Sequence, residues 1–162
     1  MNRKVEVEVV GRSELGVRAR RGFVDLTPSA EARFATERAL LTGGRPEGTP
    51  ELAVELGEET RAGGRQMELP FRVTIPLAEL TLAAAADGVH AKRELQVAVE
   101  DDKARRSELA AMDLALTPEE AAGGEIVYDV ALRLRRRAHD FVFTVVDAET
   151  GRTLVRRVGF VL

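Results

Sequence analysis

The chain has 162 residues, a length that supports one hydrophobic core and is short for two domains. Hydrophobic residues make up 44% of it and charged residues 31%, with a formal net charge of −3, which is typical of a globular protein and argues against a disordered one. The absence of cysteine excludes disulfides, thiolate chemistry and cysteine-ligated zinc. No apolar run approaches the roughly 18 residues that cross a membrane, and the first residues show no apolar signal segment.

The first 23 residues predict a β-hairpin. Valines alternate with charged residues over 3–10, residues 11–14 are typical of a turn, and apolar and arginine side chains alternate over 15–21. Successive side chains of a strand point to opposite faces, so this alternation predicts strands with one buried face.

A surface helix is predicted over residues 27–42, where good helix formers dominate. The Thr27 hydroxyl can cap the helix, Pro28 suits its first position, and the glycine pair at 43–44 ends it. The apolar side chains form a narrow stripe, and a narrow stripe is typical of a helix that lies on the surface of a core. We expect the stripe to face the protein and to consist of Ala30, Phe34 and Leu41.

The middle of the chain predicts further short strands at 51–56, 67–75, 95–100 and 109–116, again from alternating apolar residues. Pro70 interrupts the second of them, which predicts an edge or a bulge because proline cannot donate to a ladder. Two other segments are less regular. The alanine run 83–86 fits either a loop or one helical turn, and 117–124 is typical of a loop.

The last 38 residues show the clearest strand pattern in the chain. One strand is predicted from 126 to 135, with its buried face formed by Ile126, Tyr128, Val130, Leu132 and Leu134. Residues 141–146 and 153–162 then predict a hairpin around a polar loop, in which Gly151 can take the positive φ that a bulged turn needs.

Together these patterns predict a mainly β protein. Eight to ten short strands with no βαβ rhythm are typical of an immunoglobulin- or fibronectin-III-like antiparallel β-sandwich, here with an N-terminal hairpin and one short helix. We assign residues 1–23 to the hairpin, 24–50 to the helix and a linker, and 51–162 to the β-sandwich domain.

The two histidines are the first candidates for a metal site. His90 and Glu94 lie four residues apart on one face of a predicted strand, and two ligands of this kind could begin such a site. Zinc needs three or four ligands, so His139 or further carboxylates would have to complete it. A solvated surface histidine is the simpler interpretation.

The remaining polar residues give no recognisable site. Asp101, Asp102, Asp147 and Glu149 fall in predicted turns, where they could collect calcium or simply cap the turns. The three serines lie outside any nucleophile elbow, and the glycine pairs lack the sequence of a phosphate-binding loop. We therefore predict no catalytic residue, no metal ligand and no cofactor.

A cluster of arginines is the strongest candidate for a binding site. The segment 133–157 contains seven arginines and three acidic residues, a net charge of +4, so the rest of the chain carries −7. If neighbouring strands carry them, they form one basic interaction face made of Arg133, Arg135, Arg136, Arg137, Arg152, Arg156 and Arg157. A solvated face paired with Glu and Asp, which also protects an edge strand, is the alternative. Nucleic acid is a poor partner, because the chain is net acidic and has no aromatic residue interleaved with the arginines.

Several segments resemble the region that follows the A-type domain in the von Willebrand factor A-related proteins typical of Acidobacteria. They are residues 3–9 with 15–23, the run Ile-Pro-Leu-Ala-Glu-Leu-Thr-Leu at 75–82, the acidic turn at 101–104, and the hairpin loop at 147–151. The chain departs from the pattern at Phe23, where tyrosine is usual, and at Ala104, where glycine is usual.

The resemblance implies a non-catalytic accessory module of an exported bacterial protein, with a role in adhesion or protein–protein interaction at the cell envelope. Its N-terminal hairpin would continue from an upstream A-type domain of the same polypeptide, which would be its first partner. The metal-dependent adhesion motif Asp-x-Ser-x-Ser does not occur in these residues, so no metal site carries over. The alternative is a ligand-binding sandwich that uses the basic face for an acidic glycan or protein.

Overall fold

The computed structural model describes residues 2–4, 22–24, 26–43, 51–81, 83–85, 88–90, 93–107, 110–114 and 118–162. Within these ranges two antiparallel sheets pack face to face, and a helix covers the outer side of one sheet. The predicted fold class, a mainly β antiparallel sandwich with an N-terminal hairpin and a helix near the front, is confirmed.

The elements follow one another in chain order, and most of them are strands. They are β1 (Asn2–Lys4), β2 (Gly22–Val24), α1 (Pro28–Thr42), β3 (Ala53–Leu56), β4 (Thr60–Arg61), β5 (Gln66–Pro76), a 3₁₀ turn (Leu77–Glu79), β6 (Ala83–Ala85), β7 (Gly88–His90), β8 (Arg93–Asp101), β9 (Ala110–Leu114), α2 (Pro118–Gly123), β10 (Glu125–Arg135), β11 (His139–Asp147) and β12 (Thr153–Phe160). Most of the predicted first hairpin, residues 5–21, lies outside the described residues, but its ends β1 and β2 do pair antiparallel.

The two large sheets have different strand orders. The first sheet runs β10-β5-β3, with β4 also pairing with β5, and the second runs β12-β11-β8-β9. The predicted hairpins β8–β9 and β11–β12 are both confirmed. In the second hairpin Gly151 has φ 74° and its N–H donates to the Asp147 carbonyl over 2.8 Å. The strand β10 does not join these hairpins; it pairs with β5 of the other sheet.

The core lies between the sheets, and the predicted alternation accounts for it. The inward row of β5 is buried, as are Ile126 at the start of β10 and the inward side chains of β11. Phe71 of the first sheet contacts Phe141 and Phe143 of the second, with ring centroids 4.8 and 4.9 Å apart. Such offset aromatic contacts add to the stabilisation that apolar burial supplies.

The helix α1 begins and ends as predicted but packs through a different face. Thr27 accepts from the Ala30 N–H, and Gly43 ends the helix with φ 69°. Phe34 and Leu41, expected to face the protein, are 62% and 69% exposed. The face that contacts β11, β8 and β12 carries Ala32, Thr36, Ala39 and Leu40.

Small side chains occupy this face of α1 because they allow the helix to lie close to the sheet. The Thr36 hydroxyl bonds the Thr144 hydroxyl over 2.6 Å, and Gln96 donates to the Ser29 carbonyl over 3.1 Å. The second sheet is therefore covered on both sides, which explains why β8 and β11 are buried nearly throughout instead of alternating. The helix packs on the outer side of the second sheet through a smaller apolar cluster, separate from the core between the two sheets. The predicted domain limits stay a prediction.

Pro70 lies in the central strand of the first sheet rather than in an edge strand. Its carbonyl accepts from the Gly57 N–H over 2.8 Å, and in an antiparallel ladder the N–H and C=O of one residue point to the same side. The missing proline donor therefore faces the gap between β3 and β4, and no hydrogen bond to β10 is lost. A Cβ at Gly57 would stand 2.9 Å from the Pro70 ring, so glycine is needed there.

Two segments differ from the sequence interpretation. The alanine run 83–86, expected to be a loop or one helical turn, contains the short strand β6, which pairs with β7. The predicted loop at 117–124 contains the helix α2. Neither segment alternates strongly, so nothing local distinguishes these conformations. None of the helices in the described ranges is long and apolar enough to cross a bilayer.

Candidate functional site

The structure separates the seven arginines of the predicted basic face. Arg133 and Arg135 point outward from β10, at one edge of the first sheet, and Arg156 and Arg157 lie on β12, at one edge of the second. Of the strands in the first sheet, β3 is the one that contacts β12, and β3 lies at the opposite edge of that sheet from β10. The three other arginines lie in the turns on either side of β11, so the seven do not share one face.

Five of the seven arginines have acidic partners. The pairs are Arg136 with Glu59 at 3.1 Å, Arg137 with Asp101 and Asp102 at 3.3 Å, Arg157 with Asp140 at 3.0 Å, and the contacts of Arg152 with Glu79 and Arg156 with Glu51. Most of these pairs are partly exposed, and each such pair contributes about 0–1 kcal/mol. Their main effect is to compensate the local charge, as the solvated-face alternative expects.

The two remaining arginines border an open cleft at the end of the sandwich where β8 and β10 turn. The cleft has a volume of about 340 Å³ and an apolar floor of Val99 and Leu134. Four arginines line it, two from the β10 strand and two from the turn after β8: Arg133, Arg135, Arg105 and Arg106. We call this depression the arginine cleft.

Two of the four arginines are held by acids and two are not. Arg105 pairs with Asp101 over 2.7 Å, and Arg106 pairs with Glu100 over 2.7 Å. Arg133 donates to the Ala62 carbonyl over 2.6 Å, which leaves its charge uncompensated by that contact. The Arg135 side chain has no hydrogen-bond or ion-pair partner among the described residues; it lines the cleft.

The charge of the cleft is positive. Its lining contains four arginines and one acid, Asp101. Two further acids stand close by: Glu100, which pairs with Arg106, and Glu68, which lies opposite Arg133 in the β5–β10 ladder. Four positive charges therefore exceed three negative ones, and the excess lies on the β10 side.

His139 forms part of the cleft wall. The residue is 8% exposed, and its Nε2 lies 2.9 Å from the Arg135 carbonyl oxygen. If Nε2 donates to that carbonyl, Nδ1 is the acceptor nitrogen of the neutral ring, and Nδ1 has no partner within the described part of the chain. The ring also borders a smaller depression of about 120 Å³ on its other side, beside Asp140 and Gly159.

The histidine and glutamate considered as metal ligands are placed apart from this cleft. Glu94 accepts hydrogen bonds from Ser29, at the start of α1, over 3.0 Å and from Gln96 of β8 over 2.7 Å. His90 ends β7, and its side chain lies outside the described residues. In the described ranges no three His, Asp or Glu side chains come together as a metal site.

The acidic turns considered for calcium are at opposite ends of the second sheet, because Asp101 pairs with His139 whereas Asp147 pairs with Arg93. Asp101 accepts from the Lys103 and Arg105 N–H groups and from the Arg105 side chain. The Arg105 hydrogen bond is the main reason why the pKa of Asp101 lies well below its ordinary value. Its oxygens cap the turn.

Asp147 has the same role in the other turn. One oxygen accepts from the Glu149 and Thr150 N–H groups over 2.9 and 3.1 Å, and the other accepts from the Thr81 N–H over 2.7 Å. Burial by itself would raise the pKa of this carboxyl, but the bonds from the backbone outweigh burial and lower it.

Arg93 was not recognised from the sequence, although its position carried a signal. It shares the inward parity of β8 with Leu95, Val97 and Val99, and it is 1% exposed. No guanidinium nitrogen of Arg93 has a hydrogen-bond partner among the described residues, and burial lowers its pKa. The effect of burial on this pKa is partly offset by the charges of Tyr128, Glu120 and Asp147, of which Asp147 lies opposite Arg93 on β11.

Comparisons with known proteins identify no family. No family model matches the sequence, and no curated protein matches it. Among solved structures, a putative β-galactosidase from Bacteroides fragilis is 11% identical with a TM-score of 0.47 and matches 67% of this chain and 16% of its own. A β-glucuronidase from glycoside hydrolase family 2 is 8% identical with a TM-score of 0.45 and matches 73% of this chain and 12% of its own.

A third solved structure, a structural-genomics target determined by X-ray crystallography, is 14% identical with a TM-score of 0.40. It matches over 69% of this chain and 85% of its own. This chain thus spans only a small part of the two glycosidases. At these identities and TM-scores, the three likenesses carry no argument about activity.

Proposed function

We propose that this chain is a non-catalytic interaction module that binds an acidic segment of a glycan or a protein in the arginine cleft. The observation that carries the proposal is the pair Arg133 and Arg135, which lie on the outward face of β10, line the open cleft and form no ion pair with an acid among the described residues. The predicted seven-arginine face is thereby reduced to these two residues, supported by Arg105 and Arg106 from the neighbouring turn.

The spacing of these side chains suits an extended acidic ligand. Alternate residues of a strand are about 7 Å apart, which is also the spacing of alternate side chains in an extended peptide. Guanidinium groups bind carboxylates and sulfates through paired N–H donors, so two of them in a row can hold two successive anions. The apolar floor of Val99 and Leu134 gives the uncharged part of a ligand a surface to contact.

The test is retention on immobilised heparin and, separately, on immobilised polyglutamate, with elution by salt. The double variant Arg133→Ser with Arg135→Ser should elute at clearly lower salt than the wild type, because contacts between exposed charges are screened by ions. The matched control is Arg33→Ser with Arg38→Ser, which removes the same charge from the outer face of α1.

Equal elution of the cleft variant and the wild type would contradict the proposal, and so would an equal shift in the control variant. Retention on one matrix but not the other decides between glycan and protein as the ligand. A hydrolase activity that is lost on His139→Ala would contradict the non-catalytic part of the proposal.

The resemblance to von Willebrand factor A-related proteins supports a setting for this module beside an A-type domain at the bacterial cell envelope. Gene products that contain this segment should then encode an A-type fold immediately upstream. Finding the segment routinely as a free-standing chain would contradict that setting without touching the proposed role of the cleft.

A further inference from the structure

The strand β10 has one edge that no described strand covers. It pairs with β5 over all 11 of its residues, from Glu125 opposite Pro76 to Arg135 opposite Gln66. The Gly124 carbonyl accepts from the Leu77 N–H, and the Arg136 N–H donates to the Arg65 carbonyl. The N–H and C=O groups of the even-numbered residues of β10 therefore point toward β5. The odd-numbered residues 125–135 therefore present their N–H and C=O groups at the other edge.

Among the described residues, this edge lacks several of the features that protect edge strands from pairing, although its outward row carries charges and α2 contacts β10. Its register with β5 is continuous, which excludes a bulge within it, and it contains no proline and no charged residue in its inward row. The edge of β12 is different. There Glu51 forms a bridge to Val155, and the Glu51 side chain pairs with Arg156.

The inward row of β10 is also incompletely covered by its own sandwich. Tyr128, Val130, Leu132 and Leu134 are only partly buried, whereas the inward residues of the adjacent strand β5 are buried. An added strand beside β10 would extend the sheet and cover this apolar row further. The hydrophobic effect therefore favours a partner at this edge.

The charges along β10 indicate which partner fits. The outward row begins with the acids Glu125 and Asp129 and ends with Arg133 and Arg135. If a second copy of β10 pairs antiparallel about a two-fold axis at Ala131, Asp129 of each copy lies opposite Arg133 of the other. Tyr128 then lies opposite Leu134, and Val130 opposite Leu132.

We infer that two copies of this chain associate through their β10 edges and form one continuous sheet. The row is self-complementary because acids and arginines are arranged oppositely about its middle, which is what an isologous two-fold interface requires. The existing contact between Asp129 and Arg72 does not oppose this, since both side chains are largely exposed and their pair is weak. In this dimer Arg133 faces Asp129 of the second copy, so dimer formation and ligand binding in the arginine cleft compete for Arg133. The inference itself does not rest on the proposed ligand.

The test is sedimentation velocity of the whole chain over a range of concentrations. The wild type should show a monomer–dimer equilibrium, and Arg133→Glu and Asp129→Arg alone should each weaken the dimer about tenfold, because each places like charges opposite one another twice. An equimolar mixture of the two variants should restore dimers, since both cross-strand pairs are then of opposite sign. Each variant measured alone serves as the reference for the mixture, so a difference in stability between the two variants does not affect the comparison.

A backbone variant tests the same edge independently. The Ala131 N–H points away from β5, so Ala131→Pro removes one donor of the free edge without removing a bond to β5. It should stay folded by circular dichroism and sediment as a monomer.

A wild type that stays monomeric at all concentrations would overturn the inference, and so would a mixture that dimerises no better than its components. The double variant Asp129→Arg with Arg133→Glu separates this inference from the cleft proposal. It should dimerise like the wild type and still lose salt-resistant retention on the acidic matrix, because the cleft has lost Arg133.

Discussion

At the scale of single residues, the carboxylates of two turns accept hydrogen bonds from backbone N–H groups and, for Asp101, also from arginine side chains. Asp101 and Asp147 each accept several such bonds at the ends of their strands. The pKa of Asp101 is lowered mainly by the Arg105 side-chain hydrogen bond, with the backbone bonds adding to it, and the pKa of Asp147 is lowered by its hydrogen bonds from Thr81, Glu149 and Thr150 against the effect of burial. Acidic clusters in the sequence that suggested calcium are therefore explained by the geometry of the turns.

The lowered pKa of Asp101 predicts a pH dependence of stability. A carboxyl with a lowered pKa in the folded state stabilises the fold at pH values above its unfolded pKa of about 3.9, and the contribution is lost as the pH falls through the lower folded value. In an NMR titration of the Asp101 carboxyl, Arg105→Ala should raise this pKa toward the ordinary value, because the Arg105 hydrogen bond is the largest cause of the shift.

The control for that titration is Arg106→Ala. Arg106 lies in the same turn but pairs with Glu100, so its removal should leave the pKa of Asp101 nearly where it is. Similar shifts in the two variants would mean that the general positive charge of the turn, and not the specific hydrogen bond, lowers the pKa.

At the scale of elements, the helix α1 shows that the largest apolar side chains need not mark the packed face. Ala32, Thr36 and Ala39 face the sheet, and Phe34 and Leu41 face outward. Close packing against a flat, fully covered sheet favours small residues, and a hydrophobic stripe in the sequence is dominated by large ones. The helix ends were predictable because capping is local, whereas the packed face depends on the surface opposite.

This correction predicts a large difference between two substitutions in α1. Ala39→Glu places a charge between the helix and the sheet and should lower the free energy of unfolding by several kcal/mol, about 3 or more. Phe34→Glu changes an exposed side chain and should lie within about 0.5 kcal/mol of the wild type. Urea unfolding measures both, and a larger cost for Phe34→Glu would restore the stripe predicted from the sequence.

At the scale of the whole molecule, three layers share one central sheet. The helix packs on one side of the β12-β11-β8-β9 sheet and the other sheet packs on the opposite side. Strands β8 and β11 contribute side chains to both interfaces, so loss of one interface removes support from the other. We therefore expect helix and sandwich to unfold together.

Phe71→Ala tests this coupling. The Phe71 ring contacts Phe141 and Phe143 across the sandwich, and its removal should cost about 3–5 kcal/mol. The helical circular dichroism signal and the fluorescence of Tyr128, the single tyrosine of a chain without tryptophan, should shift to the same lower denaturant midpoint. Separate midpoints for the two signals would show that the helix unfolds independently of the sandwich.

The sequence by itself determined what is local in this protein: the alternating faces of β5 and β10, the start of α1 at Pro28, and the turn with a left-handed Gly151. These follow from backbone geometry and from the two-residue period of strands, which need only neighbouring residues. Length was also enough to predict a single core, and the alternating segments without a βαβ rhythm were enough to predict a mainly β protein.

Only the tertiary structure decided which strands are neighbours. The alternation of β10 is equally compatible with pairing to β11, three residues after it in the chain, and with its observed pairing to β5, far upstream. That choice separates Arg133 and Arg135 from the arginines of β12, and it places Arg93 inside the core and the cleft beside the β8 turn. Pairing depends on how distant apolar faces bury one another, and period-two alternation says which side of a strand is buried without saying against what.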